Sequence, residues 1–245
     1  MKAIIIAAGP GSRLFPFTEE HPKCMLDVKG KPILQRTLET LRKCGVNNII
    51  VVRGHAAEKI NFKNIKYCHN KDFKNNNILA SLFCAEKEMN EEFIFSYSDI
   101  LYNEETVKKL LESKEDFSVI TDIGWKERYE GRTLHPIEEA ENVVLNGNKI
   151  IKIGKHLTAD ESHGEFIGLV KFSKNGAEIL KNVYSELKKK GEIFQKAKSF
   201  EKAYMTDMLQ ELIDRNHSVN AVKIDKGWWE IDTPQDYKKV CSEIR

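Results

Sequence analysis

Apolar runs alternate with helix-like segments along most of the chain. A continuous apolar run at 3–8 and a second at 48–53 predict buried strands. Between them, Ile33, Leu38 and Leu41 recur at helical spacing. A strand, a helix and a second strand of this kind form a βαβ unit, in which the two strands are parallel. The pattern therefore predicts an α/β protein whose mostly parallel sheet is covered by helices on both faces.

The same alternation continues to the end of the chain. Further strands are predicted at 65–68, 92–98, 117–122, 166–172 and 219–224, and further helices at 78–89, 104–113, 175–190, 204–215 and 234–244. The segment at 125–164 differs because it is charged and contains several glycines, and Asn146-Gly147 stands between two apolar runs as in a β-hairpin. We therefore predict one doubly wound α/β domain, residues 1–245, with an insertion or lid at about 124–164.

Composition excludes several classes of protein. The chain has 39 basic and 37 acidic side chains and a net charge of +2, which argues against a nucleic-acid or membrane-surface binder. Its five cysteines form no CxxC pair, as is typical of free thiols in a reducing cytosol. No segment approaches the ~20 apolar residues that span a bilayer. A cytoplasmic location is therefore expected.

The loop AAGPGSRL after the first strand carries the first candidate chemistry. A dinucleotide-binding turn would have a third glycine where this chain has Leu14, and an acidic residue where the second strand ends in Arg53. A Walker loop would need GKS or GKT. What remains is a loop of small residues that contains Ser12 and Arg13 and is followed by Lys23. The backbone amides of the loop and the charges of Arg13 and Lys23 suit a polyphosphate. The alternative is a surface turn with incidental charges.

Several motifs together resemble a known superfamily. AAGPGSRL…HPKCML, followed by the helix KPILQRTLETL, is similar to the AAGxGxRL…PKxL pattern of the nucleotidyltransferases that join an NTP to a sugar phosphate, phosphocholine or phosphonate. SYSDILY, EFIG at 165–168 and WWEIDTPQDY follow in the order of that family. The resemblance covers essentially the whole chain and implies a Rossmann-like nucleotidyltransferase fold. It also implies that an acceptor's phosphoryl oxygen attacks the α-phosphorus and pyrophosphate leaves, with no covalent enzyme intermediate.

The resemblance implies a role for each motif. Asp99 and Asp232 would bind Mg²⁺, and Arg13 and Lys23 would stabilise the α-phosphate and the leaving pyrophosphate, so these four are the predicted catalytic residues. The end of a buried strand, where Asp99 stands, is also where open α/β sheets bind ligands. The predicted nucleotide-binding residues are Ala7, Ala8, Gly9, Gly11, Ser12, Arg13, Lys23, Asn77 and Ser81.

Base recognition has two interpretations. Asn77 and Ser81 belong to NNNILASL, which resembles the segment near the base and ribose in the cytidylyltransferase branch. Their polar groups would read the edge of a pyrimidine. A helix cap at Asn77 or Asn76, together with packing of Ser81, explains the same residues without a ligand.

The segment WKERYEGRTLHP, with EEAE after it, resembles the phosphonate cytidylyltransferases, whose relatives act on 2-aminoethylphosphonate. Arg128 and Arg132 are four residues apart and would clamp a phosphonate, or would be solvated if this segment does not cover the site. Glu165 and Trp229 would meet an ammonium group through charge and cation–π contact. Trp228 is expected in the core.

These observations lead us to expect a Mg²⁺-dependent cytidylyltransferase that transfers CMP from CTP to a small phosphonate, with 2-aminoethylphosphonate favoured. The alternatives are a phosphocholine cytidylyltransferase, a sugar-1-phosphate nucleotidyltransferase and a nucleotide-binding regulatory subunit without activity. Binding alone would tolerate loss of the second carboxylate, so the presence of both argues against the regulatory subunit. The expected partners are CTP and a small phosphonate or phosphoalcohol, with no nucleic acid and no membrane, and a homodimer is the candidate assembly.

Overall fold

The computed structural model of the protein describes residues 1–244 and contains one large mixed sheet. The strands are β1 (Lys2–Ala7), β2 (Asp27–Val28), β3 (Lys31–Pro32), β4 (Asn48–Arg53), β5 (Lys66–His69), β6 (Phe93–Tyr97), β7 (Ile100–Tyr102), β8 (Phe117–Asp122), β9 (Asn142–Asn146), β10 (Lys149–Gly154), β11 (Gly164–Phe172), β12 (Val219–Ile224) and β13 (Trp228–Glu230). The helices are α1 (Ile33–Lys43), α2 (Ile78–Phe83), α3 (Glu104–Glu112), α4 (Lys174–Lys190), α5 (Met205–Asp214) and α6 (Pro234–Glu243). In this described part of the chain, no helix has the length and apolar character needed to cross a membrane.

Nine strands form the large sheet, in the order β5-β4-β1-β6-β11-β8-β12-β10-β9. β5, β4, β1 and β6 are parallel, and β8 and β12 are parallel to each other. β11 runs antiparallel to both of its neighbours, β6 and β8. A parallel neighbour needs a crossover connection, and the described elements between β8 and β11 include no α-helix. The predicted α/β class is confirmed, but the sheet is mixed rather than mostly parallel, because β10 is also antiparallel to β12 and to β9.

The central strand β1 is buried on both faces. Ile4 and Ile6 pack in a core with residues of α2, α4 and α5. Ala3 and Ile5 point to the other side, where they pack with residues of α1 and α3. Each buried isoleucine contributes roughly 1.5–3 kcal/mol through the apolar surface that it removes from water. This burial on both faces is the doubly wound arrangement that the apolar run at 3–8 predicted.

The segment predicted as a lid consists of two different parts. Residues 123–141, which we call the flap, contain two short 3-10 helices at Trp125–Tyr129 and Ile137–Glu139. The rest is the hairpin of β9 and β10, whose strands pair with β11 and β12 of the large sheet. The Asn146-Gly147 hairpin is therefore confirmed, but the hairpin belongs to the sheet rather than to a lid.

A small antiparallel ribbon brings two acidic residues together. In it β13 pairs with β7, with Glu230 opposite Ile100, and the amide of Ile231 donates to the carbonyl of Asp99 at 3.0 Å. Because the two strands run in opposite directions, the residue before β7 and a residue shortly after β13 meet at one end of the ribbon. Those residues are Asp99 and Asp232.

Candidate active site

The loop after β1 lines a cavity of about 310 Å³ at the carboxyl edge of the sheet. Gly11 has a φ of +63°, and a Cβ at this position would lie 2.8 Å from Cβ of Lys23. The Thr18 hydroxyl donates to the Gly11 carbonyl at 2.8 Å and so fixes the returning chain. The glycine thus lets the chain fold back closely enough to place Lys23 beside the end of β1.

Lys23 joins the two carboxylates predicted to bind metal. Its ammonium group donates to Asp99 Oδ2 at 2.8 Å and to Asp232 Oδ1. Burial alone would lower the pKa of Lys23, but Asp99 and Asp232 raise it above its usual value. Burial likewise works to raise the pKa of Asp232, but Lys23, His135 and Arg13 hold it well below its usual range. Both groups are therefore charged at neutral pH.

The two carboxylates fit a divalent cation. Asp99 Oδ1 is buried and has no hydrogen-bond partner within residues 1–244, so one carboxylate oxygen is left to coordinate. Asp232 offers a second oxygen, Oδ1, which accepts from the same ammonium group of Lys23. Carboxylate oxygens are the ligands that Mg²⁺ takes in nucleotide sites. His135, Glu230 and Asp232 form a neighbouring set whose ligand atoms lie within 4.8 Å of one another.

Two side chains from the flap reach this cluster. Arg13 contacts Asp232 Oδ2 at 2.9 Å with one guanidinium nitrogen and Glu139 of the flap at 2.9 Å with another. Nδ1 of His135, also on the flap, lies 2.9 Å from the same oxygen of Asp232. Sequence reasoning used HPxxEAE only as a family signature and missed both His135 and Glu139. Their position in the HPxxEAE motif is the sequence signal that could have identified them as site residues.

A buried carboxylate stands on the far side of the cavity. Glu165 is 4% exposed and accepts a hydrogen bond from the Tyr129 hydroxyl. Burial, and then the negative charge of Glu230, raise the pKa of Glu165 to about 8. No ion pair of Glu165 is found within the part of the chain that the structure describes. The position therefore favours a positively charged ligand group.

A second buried carboxylate, Glu141, lies beside a lysine. Glu141 accepts from the Tyr97 hydroxyl at 3.1 Å, and Lys155 Nζ is 3.9 Å from its other oxygen. Burial raises the pKa of Glu141 to about 7. Gly168 of the EFIG motif has a φ of +86°, and a Cβ there would lie 2.2 Å from the Tyr97 ring. That glycine makes room for Tyr97. Sequence reasoning missed Glu141 and Lys155, both of which line the cavity.

Arg128 and Arg132, the predicted phosphonate clamp, are paired with carboxylates of the chain. Arg128 donates to Asp122 at 2.7 Å, and Arg132 donates to Glu230 at 2.7 Å and to Asp236 at 2.8 Å. Both line a second cavity of about 350 Å³ together with Trp229. A clamp on a phosphonate would require these pairs to open, and it stays a prediction.

The two cavities share a wall. The residues that line both are Glu165, Trp228 and Glu230. Trp228 is 3% exposed, which confirms its predicted core position. Trp229 is partly buried, and its indole nitrogen donates to Glu243 at 2.8 Å.

Most of the predicted nucleotide-binding residues lie around the first cavity. Those that line it are Ala7, Gly9, Gly11, Ser12, Arg13, Lys23 and Asn77. The carbonyl of Ala8, which is buried, accepts from the amide of His55 at 3.0 Å. Asn77 accepts from the Ile78 amide at 2.9 Å, so the cap at the start of α2 is confirmed. The Ser81 hydroxyl is buried in the wall, where it donates to the Asn77 carbonyl at 3.0 Å. A contact of Asn77 or Ser81 with a base stays a prediction.

Comparison with known proteins agrees with this geometry. Residues 3–158 match the family model described as a MobA-like NTP transferase domain. A CTP:phosphoglutamine cytidylyltransferase of Campylobacter jejuni is 36% identical over 96% of this chain and 97% of its own. A solved CTP:phosphocholine cytidylyltransferase of Streptococcus pneumoniae superposes with a TM-score of 0.75 at 22% identity, over 100% of this chain and 99% of the other. An inositol-1-phosphate CTP transferase of T. maritima superposes with a TM-score of 0.76 at 23% identity, over 99% and 95%. These two structures confirm the nucleotidyltransferase fold.

Proposed function

Because this chain belongs to the MobA-like NTP transferase family and is a nucleotidyltransferase of the cytidylyltransferase type, we propose that it transfers CMP from CTP to a small amine-bearing phosphate or phosphonate. The coarser activity, cytidylyl transfer to a small phosphate-bearing molecule, follows from its relatives. The observation that carries the proposal is the contact of Lys23 with both Asp99 and Asp232 beside the glycine loop. This contact places a cation suited to phosphate beside two carboxylates suited to a metal ion.

The chemistry that this site offers is positioning and charge neutralisation. Arg13 and Lys23 exchange their carboxylate partners for phosphate oxygens of CTP. An oxygen of the acceptor's phosphoryl group then forms a bond to the α-phosphorus as the bond to pyrophosphate breaks, so no nucleophile from the protein is needed. Mg²⁺ held by Asp99 and Asp232 would neutralise charge on the reacting phosphates.

Lys155 is the cation that we assign to the acceptor's phosphoryl group. It lines the same cavity as Arg13 and Lys23, the cations that we assign to the triphosphate. Its ammonium is 3.9 Å from Glu141, and its side chain is 36% exposed, so it is free to turn towards an anion. Arg128 and Arg132, by contrast, are already paired with carboxylates.

Glu165 is assigned to the acceptor's amine. Within residues 1–244 the Tyr129 hydroxyl is the one hydrogen-bond partner of this buried carboxyl group. Such a group gains most from a cation, because an unpaired charge is costly to bury. An ammonium group on the acceptor would supply that cation while the phosphoryl group meets Lys155, which lines the same cavity as Glu165. We therefore favour 2-aminoethylphosphonate as the acceptor, with phosphocholine as the acceptor that shares this charge pattern.

A second candidate acceptor is phosphoglutamine, the substrate named for the relative in C. jejuni. The observation that favours it is the second cavity of about 350 Å³, which borders Glu165 and Glu230. This space would take the larger amino-acid portion of such an acceptor.

Release of pyrophosphate tests the proposal. The purified enzyme with Mg²⁺ is given CTP, UTP, ATP or GTP, each with 2-aminoethylphosphonate, phosphocholine, phosphoglutamine or glucose-1-phosphate. We expect release with CTP and an amine-bearing acceptor, and none with Asp99→Asn. Release with glucose-1-phosphate alone would favour the sugar-phosphate alternative, and CTP binding without release from any pair would favour a regulatory subunit.

A further inference from the structure

His135 makes a contact that the reaction scheme above does not use. The side chain is 4% exposed, and its Nδ1 is 2.9 Å from Asp232 Oδ2. Nδ1 is therefore placed to donate a hydrogen bond to this carboxylate oxygen. The other oxygen of Asp232 faces Lys23 and Asp99. One oxygen is therefore held from the flap, while the second accepts from Lys23 on the side where the proposed function would place the metal.

The side chains that contact Asp232 differ in how strongly the triphosphate of CTP attracts them. Lys23 on Oδ1 and Arg13 on Oδ2 are cations that the triphosphate attracts. His135 is buried and reaches Asp232 from the flap, so packing rather than the nucleotide fixes its position. When the two cations turn to the nucleotide, His135 is the side-chain donor that stays on Asp232.

The position of His135 depends on how the flap docks on the start of α6. Oε1 of Gln235 accepts from the amides of Thr133 and Leu134, at 3.0 and 3.4 Å. Its Nε2 donates to the Gly131 carbonyl at 2.6 Å. The flap residues before His135 are thus fixed to the same short segment of chain that carries Asp232.

We infer that His135 is a positioning residue, which holds Asp232 so that its Oδ1, once Lys23 turns to the nucleotide, binds the divalent cation together with Asp99. The inference rests on the metal site of the proposed function. Through His135, the metal site is complete only when the flap is docked. Donors behind a ligating side chain typically change metal affinity by about 10–100-fold when they are removed.

CTP binding measured by calorimetry, without acceptor, tests this role. The readout is the ratio of the CTP Kd in EDTA to the CTP Kd in Mg²⁺, so the metal-free arm reports on folding and on the nucleotide site alone. His135→Ala should lower the ratio by about 10–100-fold. His135→Asn should keep most of it, since the asparagine amide nitrogen lies where Nδ1 does. The exposed His69→Ala is the matched control and should equal the wild type.

Two results would overturn the inference while leaving the proposed function intact. One is a ratio of the two Kd values in His135→Ala that equals the wild-type ratio, while Asp99→Asn no longer binds CTP more tightly in Mg²⁺ than in EDTA. The other is a His135→Asn ratio as low as that of His135→Ala, which would mean that the ring matters only for packing. If the wild type gains nothing from Mg²⁺, or if Asp99→Asn keeps the gain, the metal site itself is wrong and the inference falls with it.

Discussion

Lys23 and Asp99, 76 residues apart in the sequence, meet through a contact of 2.8 Å between ammonium and carboxylate. The same ammonium group reaches Asp232, so one cation neutralises two acidic side chains at the carboxyl edge of the sheet. Under the proposed function, a divalent cation would take the place of this lysine in the complex with CTP. Binding of the metal and the nucleotide would then be an exchange of partners within a cluster that is already assembled.

Replacing Lys23 should impair both catalysis and the stability of the free enzyme. Lys23→Met removes a positioned donor, which typically costs ~3 kcal/mol, or about a hundredfold in kcat. It also leaves two carboxylates without their shared cation, so the melting temperature in EDTA should fall. Mg²⁺ should raise that temperature more in the variant than in the wild type. The exposed Lys71→Met is the control, and an equal response of variant and wild type to Mg²⁺ would contradict the exchange.

The two carboxylates should be separately required for the metal. Asp99→Asn and Asp232→Asn keep the shape of each side chain but lose its charge, so each should abolish Mg²⁺-dependent turnover while the circular dichroism spectrum stays unchanged. Steady-state rates across a Mg²⁺ titration measure this, with the exposed Asp225→Asn as control. A near-normal rate in either variant would remove the metal assignment.

The flap should compete with CTP for Arg13. The Arg13–Glu139 pair spans 2.9 Å, but both side chains are nearly half exposed, so the pair is worth about 1 kcal/mol or less. Glu139→Gln should therefore lower the KM for CTP by up to a factor of about five, since 1.4 kcal/mol corresponds to tenfold. Its exposed neighbour Glu138→Gln is the matched control. A higher KM in Glu139→Gln would instead give Glu139 a direct role with the nucleotide.

Glu165 should recognise the amine of the acceptor. Glu165→Gln should raise the KM for 2-aminoethylphosphonate more than the KM for CTP, because it removes the charge that faces the ammonium group. Ethylphosphonate, which lacks the amine, is the matched acceptor, and its KM should barely change. An equal rise for both acceptors would mean that Glu165 only supports the wall of the cavity.

The same carboxyl group should give the free enzyme a pH-dependent stability. The pKa of Glu165 is raised to about 8, against ~4.3 in an unfolded chain. Its proton therefore stabilises the folded state fully below about pH 4, and this contribution is lost as the pH rises through about 8. The melting temperature of Glu165→Gln relative to the wild type should rise from about pH 5 to about pH 8 and then level off. A difference that does not depend on pH would contradict the raised pKa.

The apolar pattern predicted the buried strands well because a strand covered on both faces is apolar throughout. β4, β8 and β12 have the predicted bounds. The strands of two or three residues, such as β7 and β13, are too short to show any period, so the ribbon that brings Asp99 to Asp232 was not predicted. The antiparallel direction of β11 was also missed, since an apolar run does not encode the direction of its strand.

The helix predicted at 78–89 shows a limit of a different kind. α2 ends at Phe83, and a 3-10 helix at Glu86–Glu88 follows. Ala85 and Met89 are buried in the core, so their apolar character reflects packing rather than continued helix.

For the site, motifs identified the charged residues, but their pairing depends on tertiary contacts. Arg13, Lys23, Asp99 and Asp232 were recognised by resemblance, and the structure brings all four into one cluster. The partners of Arg132 were not predictable, because its carboxylates, Glu230 and Asp236, lie far from it in the sequence. Asp122, the partner of Arg128, lies nearer in the sequence, but the pair was not predicted either. Asp236, one of the partners of Arg132, also caps α6, where it accepts from the amide of Thr233 at 2.8 Å.

The most direct test of the central claim is to follow the α- and γ-phosphates of CTP separately. Two samples of CTP, radioactively labelled at one or the other phosphate, are incubated with enzyme, Mg²⁺ and a mixture of 2-aminoethylphosphonate, phosphocholine and phosphoglutamine. Cytidylyl transfer predicts that the α-label enters a CMP-linked product and the γ-label enters pyrophosphate. A γ-label recovered as inorganic phosphate or on the acceptor, with the α-label left in CDP, would contradict it.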